Sequence, residues 1–277
     1  MIQQSNLPIS RACTALGMSR SNYYFKPIEL SSDLLLRSTI RDIALEFAGY
    51  GYRRITRALR RQNIIINHKK VLRLMRLENV LCKRKSFKPQ TTNSNHNQPL
   101  YPNLVRNILV TKLNQVWVTD ITYVAIANCW VYLATILDVF SRKCIGWALS
   151  RRMDTQLCLE ALEMAVVQRK IIGFEGLLHH SDRGVQYASK EYVKTLTELG
   201  IKISMTETGN PRENAYAESF FKTLKVEEVY LKEYTTFEDA YQNIKHFIEA
   251  VYNAKRLHSS IGYQTPNELE AEALNIR

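Results

Sequence analysis

Asp120, Asp182 and Glu218 are the side chains of this 277-residue chain whose settings could do chemistry. Asp182 follows the apolar pair Leu177-Leu178 in His179-His180-Ser181-Asp182-Arg183-Gly184. That is the pattern of a short buried strand that stops at a glycine and leaves an aspartate at its mouth. Asp120 lies within Trp117-Val118-Thr119-Asp120-Ile121-Thr122-Tyr123-Val124, and Glu218 within Asn214-Ala215-Tyr216-Ala217-Glu218-Ser219-Phe220-Phe221-Lys222. An aspartate at a strand end commonly caps a turn or a following helix. An ionised carboxylate in mid-strand, among apolar and β-branched neighbours, is costly unless something positive neutralises it. An Arg or Lys partner would serve, and so would a divalent cation. Mg2+ is a hard ion that prefers oxygen, often held by one or two carboxylates plus substrate phosphates. Three carboxylates could hold two such ions, about 3.5–4 Å apart, stabilising the attacking and leaving oxygens of an in-line phosphoryl transfer.

The elements that carry these residues follow from local pattern. Alternation along residues 115–126 puts Val118, Asp120, Thr122 and Val124 on one face and Trp117, Thr119, Ile121 and Tyr123 on the other. With 129–139 and 143–150, also rich in Val, Ile, Thr, Tyr and Trp, this predicts three strands in hairpin succession. Asp154 or Thr155 caps a helix to about Gln168. A buried strand leads to Asp182, a helix spans Lys190 to Leu199, and Ile201 to Met205 is another strand. After a loop from Glu207 to Glu213, Asn214 opens the helix of Glu218, and a last long helix, Phe237 to Asn253, leads to a short tail. Three antiparallel strands followed by alternating helix and strand describe a mixed sheet with helices on its faces. On the Glu218 helix, Lys222 lies about 40° from the glutamate and Lys225 about 20° from it on the other side. The stripe suits a phosphodiester backbone passing over it, or a pair of surface salt bridges worth ~0.2–0.5 kcal/mol each.

Charge divides the chain. The net charge is +12. Residues 1–110 hold 19 Lys+Arg against 5 Asp+Glu, a balance of +14, and residues 111–277 hold 19 against 21, a balance of −2. Counterion release makes the basic part a natural binder of phosphate backbones. Within it, Ile9 to Phe25 has the rhythm of a helix-turn-helix, with Gly17 ending one short helix, Ser19 capping the next, and Arg20, Ser21 and Asn22 at the start of the second. Ser32 to Phe47 keeps helical spacing. Arg53 to Arg61 is a basic helix with Ile55, Ala58 and Leu59 inward and Arg53, Arg54, Arg57, Arg60 and Arg61 mostly outward. Asn67 caps a further helix, His68 to Asn79, in which Val71, Leu72, Met75 and Leu77 alternate with Lys69, Lys70, Arg73 and Arg76. The two arginine-rich helices point to DNA contact, or to an exposed helical face with scattered charge. Residues 82–103, with Lys83-Arg84-Lys85, Pro89, Pro99 and Pro102, read as a linker.

The 45% hydrophobic and 23% charged composition is that of a globular protein. No apolar run approaches the ~18–20 residues of a membrane span, and the N-terminal residues do not read as a basic-then-apolar signal peptide. The five cysteines are odd in number and form no CxxC pair, which argues against a disulfide framework or zinc knuckle and for a reducing, intracellular setting.

Taken together, the blocks resemble a known family. Trp117-Val118-Thr119-Asp120-Ile121-Thr122-Tyr123, His180-Ser181-Asp182-Arg183-Gly184 and Asn214 to Lys225 are similar to the three blocks of the integrase core of IS3-family insertion-sequence transposases. Thirty-five residues separate Asp182 from Glu218, the DD(35)E spacing of that family. Tyr252-Asn253, Arg256, His258 and Ile261-Gly262-Tyr263-Gln264-Thr265-Pro266 resemble its C-terminal block, and Tyr50 to Ile55 and Asn67 to Met75 its helical region. The resemblance implies an RNase H-like core with Asp120, Asp182 and Glu218 as ligands for two Mg2+ ions, with Mn2+ as a substitute. It implies nicking of the element's 3′ ends by water and strand transfer by the freed 3′-OH, with no covalent protein intermediate. By analogy Lys225 contacts terminal DNA, and Lys222 with it, while Arg183 is only adjacent. Arg20, Asn22, Arg53, Arg54, Arg57, Lys69, Lys70 and Arg73 are the further DNA-binding candidates. His179 and His180 are assigned to packing or hydrogen bonding.

The expected organisation is a helix-turn-helix-like start (1–30), a basic helical DNA-binding region (31–81), a linker (82–110), the α/β RNase H-like core (111–235) and a C-terminal helical extension (236–277). Partners implied are double-stranded DNA of the element ends and target, further copies of the chain on DNA, and the first-reading-frame protein, since the chain resembles the second product alone. The setting implied is the bacterial nucleoid, away from membranes. The rival readings are another RNase H-like nuclease and a DNA-binding regulator with a decayed core.

Overall fold

Residues 8–24, 31–82, 99–127, 129–207 and 214–275 are described by a computed structural model of the chain. The β-branched run after Gln115 forms β1 (Val116–Ile126), which pairs antiparallel with β2 (Cys129–Asp138), itself antiparallel to β3 (Cys144–Ser150). β4 (Leu178–Ser181) joins the other side of β1 in parallel, and β5 (Lys202–Met205) pairs parallel with β4. The order β3-β2-β1-β4-β5 is the mixed, RNase H-like sheet expected from the sequence. Strand limits differ from the expected ones by a residue or two. At the second turn, Asp138 accepts the backbone N–H of Asn114 at 2.8 Å and of Phe140 at 2.9 Å, and Arg142 takes φ +66° to lead into β3.

Pleat alternation divides the apolar residues between two cores. Val116, Val118 and Val124 meet Ala217, Phe220, Phe221 and Leu224 of α8 (Ala215–Glu227) and Ala240 and Ile244 of α9 (Phe237–His246). Trp117, Ala134, Ile136 and Ile145 meet Leu157, Ala161 and Leu162 of α6 (Thr155–Arg169) and Tyr192 and Leu196 of α7 (Lys190–Glu198). Helices thus cover both faces. Gly146 is required by how closely α6 approaches: a Cβ there would lie 2.1 Å from the Ala161 carbonyl oxygen.

The N-terminal part is helical. α1 (Ile9–Ala15) ends at Gly17, φ +62°, and Ser19 Oγ accepts the Asn22 N–H at 3.2 Å to open α2 (Arg20–Tyr24). α3 (Ser31–Glu46), α4 (Tyr52–Arg61) and α5 (His68–Leu77) enclose a third core of Leu36, Ile40, Ile43, Tyr50, Ile55, Leu59, Val71, Leu74 and Met75. Burying each such Leu or Ile contributes about 1.5–3 kcal/mol. The expected stripe on α5 needs one correction: Leu74 is inward and Leu77 is 53% exposed, because the helical stripe from Val71 runs through 74 and 75. Arg54 also departs from expectation, lying half-buried rather than outward. Of the linker read over 82–110, residues 83–98, including Lys83-Arg84-Lys85 and Pro89, lie outside the described residues.

The C-terminal segment differs most from expectation. The helix from Phe237 stays α-helical to His246 and continues as a wider π-helical turn, Phe247–Tyr252. In place of a short tail there is α10 (Pro266–Asn275). Its start is a reciprocal cap, with Glu268 N–H on Thr265 Oγ1 at 3.2 Å and Thr265 N–H on Glu268 Oε2 at 2.9 Å, a pattern readable in Thr265-Pro266-Asn267-Glu268. The segment packs on both units. Leu257 joins the helical core and donates its N–H to Tyr50 Oη at 2.7 Å, Lys255 pairs with Glu46, and Arg61 with Glu268.

α10 is latched to the sheet by Glu270, which is buried and accepts from Ser141 Oγ at 2.7 Å, Lys143 Nζ at 3.0 Å and Arg169. Burial alone would raise its pKa, but Arg169, then Lys143 and Ser141, outweigh that and hold it below the usual value. A depressed carboxylate stabilises the fold above its unfolded pKa and loses that contribution as pH falls through the folded one. Glu270→Gln is therefore expected to cost ~3 kcal/mol at neutral pH, less than a fully orphaned pair because Asp138 remains 3.9 Å from Arg169. Urea midpoints should show the gap from wild type closing as pH drops below the ordinary carboxylate range. A gap independent of pH would refute the latch.

Candidate active site

The β1–β4 register brings the first two carboxylates together. Val118 pairs with His180 across the parallel ladder, so Asp120 and Asp182, each two residues further on, emerge side by side on one face. Adjacent strands lie about 4.7–4.9 Å apart. Asp182 stands just past the end of β4, its Oδ1 accepting the Gly184 N–H at 2.9 Å. A Cβ at Gly184 would sit 3.0 Å from that oxygen and 3.2 Å from Gln186 Oε1, so a larger residue would press on the Asp182 carboxylate. Glu218 comes from α8, whose start is tied to β1 by Asn214 Nδ2 donating to the Thr119 carbonyl at 3.0 Å. That bond lies one residue from Asp120, and α8 packs on the same sheet face as Asp120.

Electrostatics report the convergence. Burial first, then the fields of Asp182 and Glu218, push the Asp120 carboxyl well above its ordinary pKa, against an opposing backbone hydrogen bond from Ile121 and the charge of Lys225. Glu218 itself is exposed, and its pKa is raised by partial desolvation. Lys225 is half-buried, with burial lowering its pKa and Asp120 opposing. Of the two neutralising devices considered for Asp120, the ammonium is the one present, in Lys225. Among the described residues no three His, Cys, Asp or Glu side chains stand close enough, as placed, to hold an ion. The donor chemistry nevertheless fits a hard divalent cation, because every donor is a carboxylate oxygen and the field at Asp120 is strongly negative.

The two histidines lie beneath the site. His179 Nε2 is hydrogen-bonded to Tyr192 Oη at 3.0 Å and His180 Nδ1 to Ser204 Oγ at 2.9 Å. Burial, then His180, lowers the His179 pKa to about 3, so it stays neutral. Arg183 Nε donates to the Thr206 carbonyl at 2.7 Å, bracing the loop after β4.

The remaining candidates are scattered over the surface. Lys222 is exposed on α8, and Arg20 and Asn22 are exposed on α2. On α4, Arg53 lies over the Tyr52 ring at 5.6 Å, Arg57 over Tyr263 at 4.9 Å and Arg54 over Tyr50 at 5.6 Å. On α5, Lys69 is exposed, while Lys70 at 2.6 Å and Arg73 at 3.4 Å both pair with Asp33. Sequence reasoning passed over Asn214 as a tether and Arg142, which lies 4.1 Å over the Tyr216 ring beside α8. The positive φ of Arg142 follows from a turn that the strand breaks had located, but its reach toward α8 had no local signal.

The chain matches two family models described as Integrase core domain, over residues 110–211 and 199–266, and one described as HTH-like domain over residues 31–87. It is 38% identical over 261 residues to the insertion element IS600 uncharacterized 31 kDa protein of Shigella sonnei, covering 92% of this chain and 95% of that one. It is 32% identical over 281 residues to transposase InsF for insertion sequence IS3A of Escherichia coli K12, covering 98% and 96%. Among solved structures it is similar to the catalytic core domain of BIV integrase, with 20% identity, a TM-score of 0.41, and coverage of 59% of this chain and 99% of that one.

Proposed function

The chain belongs to the IS3-family insertion-sequence transposases, DDE-type enzymes with an integrase core, and from that membership we propose that it nicks the 3′ ends of its element and joins them to target DNA. The observation that carries this reading is the strand register that sets Asp120 beside Asp182, and it is supported by burial first and then the fields of Asp182 and Glu218 raising the Asp120 pKa. Asp120, Asp182 and Glu218 would hold two Mg2+ ions, or Mn2+ in their place, which supply charge stabilisation at the attacking and leaving oxygens. The chain's own residues do the rest. Asn214 fixes α8 against β1 so that Glu218 faces the aspartates. Lys225 holds the terminal strand's backbone beside Asp120, with Lys222 further out on the same stripe. In nicking, water attacks the end phosphodiester and the 3′ oxygen leaves with a proton. In joining, that 3′-OH attacks a target phosphodiester, one P–O bond forms as another breaks, and the target's 3′ oxygen leaves.

The basic α3–α5 unit, with Arg53, Arg57 and Lys69 outward, grips double-stranded DNA, and Arg20 and Asn22 of α2 add contacts. The division 1–30, 31–81, 82–110, 111–235 and 236–277 separates these tasks. Two ends must be handled in one event, so copies of the chain assemble on DNA at the bacterial nucleoid, with the first-frame protein contributing end recognition. With Mg2+ or Mn2+, purified protein is expected to join a pre-cleaved end oligonucleotide to target DNA, and EDTA to stop it. Binding without joining would instead make the protein a regulator of transposition. Cleavage indifferent to element ends would make it another RNase H-like nuclease.

A further inference from the structure

A cleft of about 320 Å³ lies where α4, the β2–β3 turn, the flank of α8 and the segment before α10 meet. Arg54, Arg142 and Arg256 line it, with His258, Ser260 and Tyr216, and none of its lining residues is acidic. Its charge is unbalanced. Arg256 is held bidentately by Glu227, with both N–O distances 2.7 Å. Arg54 feels that same carboxylate, and among the described residues no salt bridge reaches Arg54 or Arg142. Of the three guanidiniums, only Arg256 is paired with a carboxylate among the described residues. The adjoining recess reaches Asp138, but that carboxylate is already engaged by three backbone N–H groups and Arg169.

One buried donor in the wall of the cleft lacks an acceptor. Arg54 Nε is buried with no hydrogen-bond partner, whereas His258, only 8% exposed, is neutral and bonded to the Tyr252 backbone, so its unpartnered Nε2 is an acceptor and calls for no anion. A buried donor without an acceptor costs about 1–3 kcal/mol, so its persistence in a cationic cleft signals an anion. Burial and then the fields of Arg256, Arg54 and Arg142 lower the His258 pKa to about 3, which places all three guanidiniums around one point. The cleft also opens along Ala215, Tyr216, Ser219 and Thr223 of α8. The last three lie about 100–160° around that helix from Glu218, within the ~10–12 Å breadth of one helix.

We propose that this cleft binds one backbone phosphate of the DNA strand that crosses α8, with Arg142 and Arg54 as its donors and Ser260 at its rim. The proposal rests on the transposase reading above for the identity of the strand. It adds an anchor at the junction of the helical unit and the core, so that DNA binding locks the two together.

The test is fluorescence anisotropy of a labelled duplex from 50 to 200 mM salt, with wild type, Arg142→Gln, Arg142→Lys and Ser260→Asp. Losing one phosphate contact should reduce the salt slope by about 0.9. Arg142→Gln is expected to show that reduction with several-fold weaker binding, and Arg142→Lys to keep the slope. Ser260→Asp changes an exposed residue, leaves the fold intact, and should weaken binding in the same way. Slopes and affinities unchanged in Arg142→Gln and Ser260→Asp would overturn the proposal. So would stabilisation by inorganic phosphate that depends on Arg142 while the DNA slope does not, since the cleft would then serve a free anion. Failure of wild type to join DNA would remove the transposition chemistry but leave this binding readout standing.

Discussion

Asp182→Asn is expected to cut joining of a pre-cleaved end by on the order of a thousand-fold or more, while duplex binding keeps its wild-type affinity and salt slope. The size follows from the several kcal/mol of charge stabilisation that a bound metal supplies, at a factor of ten for each 1.36 kcal/mol. Asparagine is nearly isosteric and its Oδ1 can still accept the Gly184 N–H, so the turn after β4 is preserved. What it loses is the negative charge beside Asp120, and with it the affinity for a divalent cation. The DNA-binding candidates on α2, α4 and α5 belong to other elements, which is why binding should survive. Gel-resolved joining with Mg2+ and anisotropy on the same preparations separate the two effects. Joining at wild-type rate would end the proposed chemistry.

Glu227→Ala has the second large effect, on stability: a loss of about 3–5 kcal/mol, measured by urea unfolding. Glu227 is the one carboxylate holding Arg256, and the side chains of both are almost wholly buried, at 7% and 3% exposure. Burial alone would lower the Arg256 pKa, but the paired carboxylate more than offsets it. Removing Glu227 leaves that guanidinium unpaired beside Arg54 and Arg142. Gly49 also packs on Glu227, so closely that a Cβ at that position would collide with the carboxylate. The junction between the helical unit and the core is thus built on this acid. Glu227→Gln, which keeps the shape and some hydrogen bonding, should fall between alanine and wild type. A shift below ~1 kcal/mol for alanine would show that the junction does not depend on it.

Local pattern carried much of the fold. Alternation of Val, Ile, Thr and Trp marked β1 to β3, Ser19, Asn67 and Asp154 marked helix starts, and the glycine after Asp182 marked the end of β4. Where the reading slipped, the reason is physical. Leu77 was taken as inward because both inward and outward leucines crowd α5, and only packing against α3 and α4 selects Leu74. α10 was missed although its capping pair, Thr265 and Glu268, was in plain sequence, because a short acidic segment shows little apolar stripe. Arg54 was read as outward because the Arg-rich face of α4 looks solvated until the C-terminal segment covers part of it.

By itself, then, the sequence determined most of the strands and helices, which three carboxylates were candidates, and that the positive charge gathers before residue 111. These depend on residues within a turn or two of one another. The tertiary structure alone decided that Asp120 and Asp182 are neighbours, that Asn214 ties the start of α8 to β1 next to Asp120, and that Arg54, Arg142 and Arg256 crowd one cleft. Each of those depends on the register of a parallel pair or the docking of distant segments, which are fixed by burial summed over the whole sheet and leave no periodic trace in the chain.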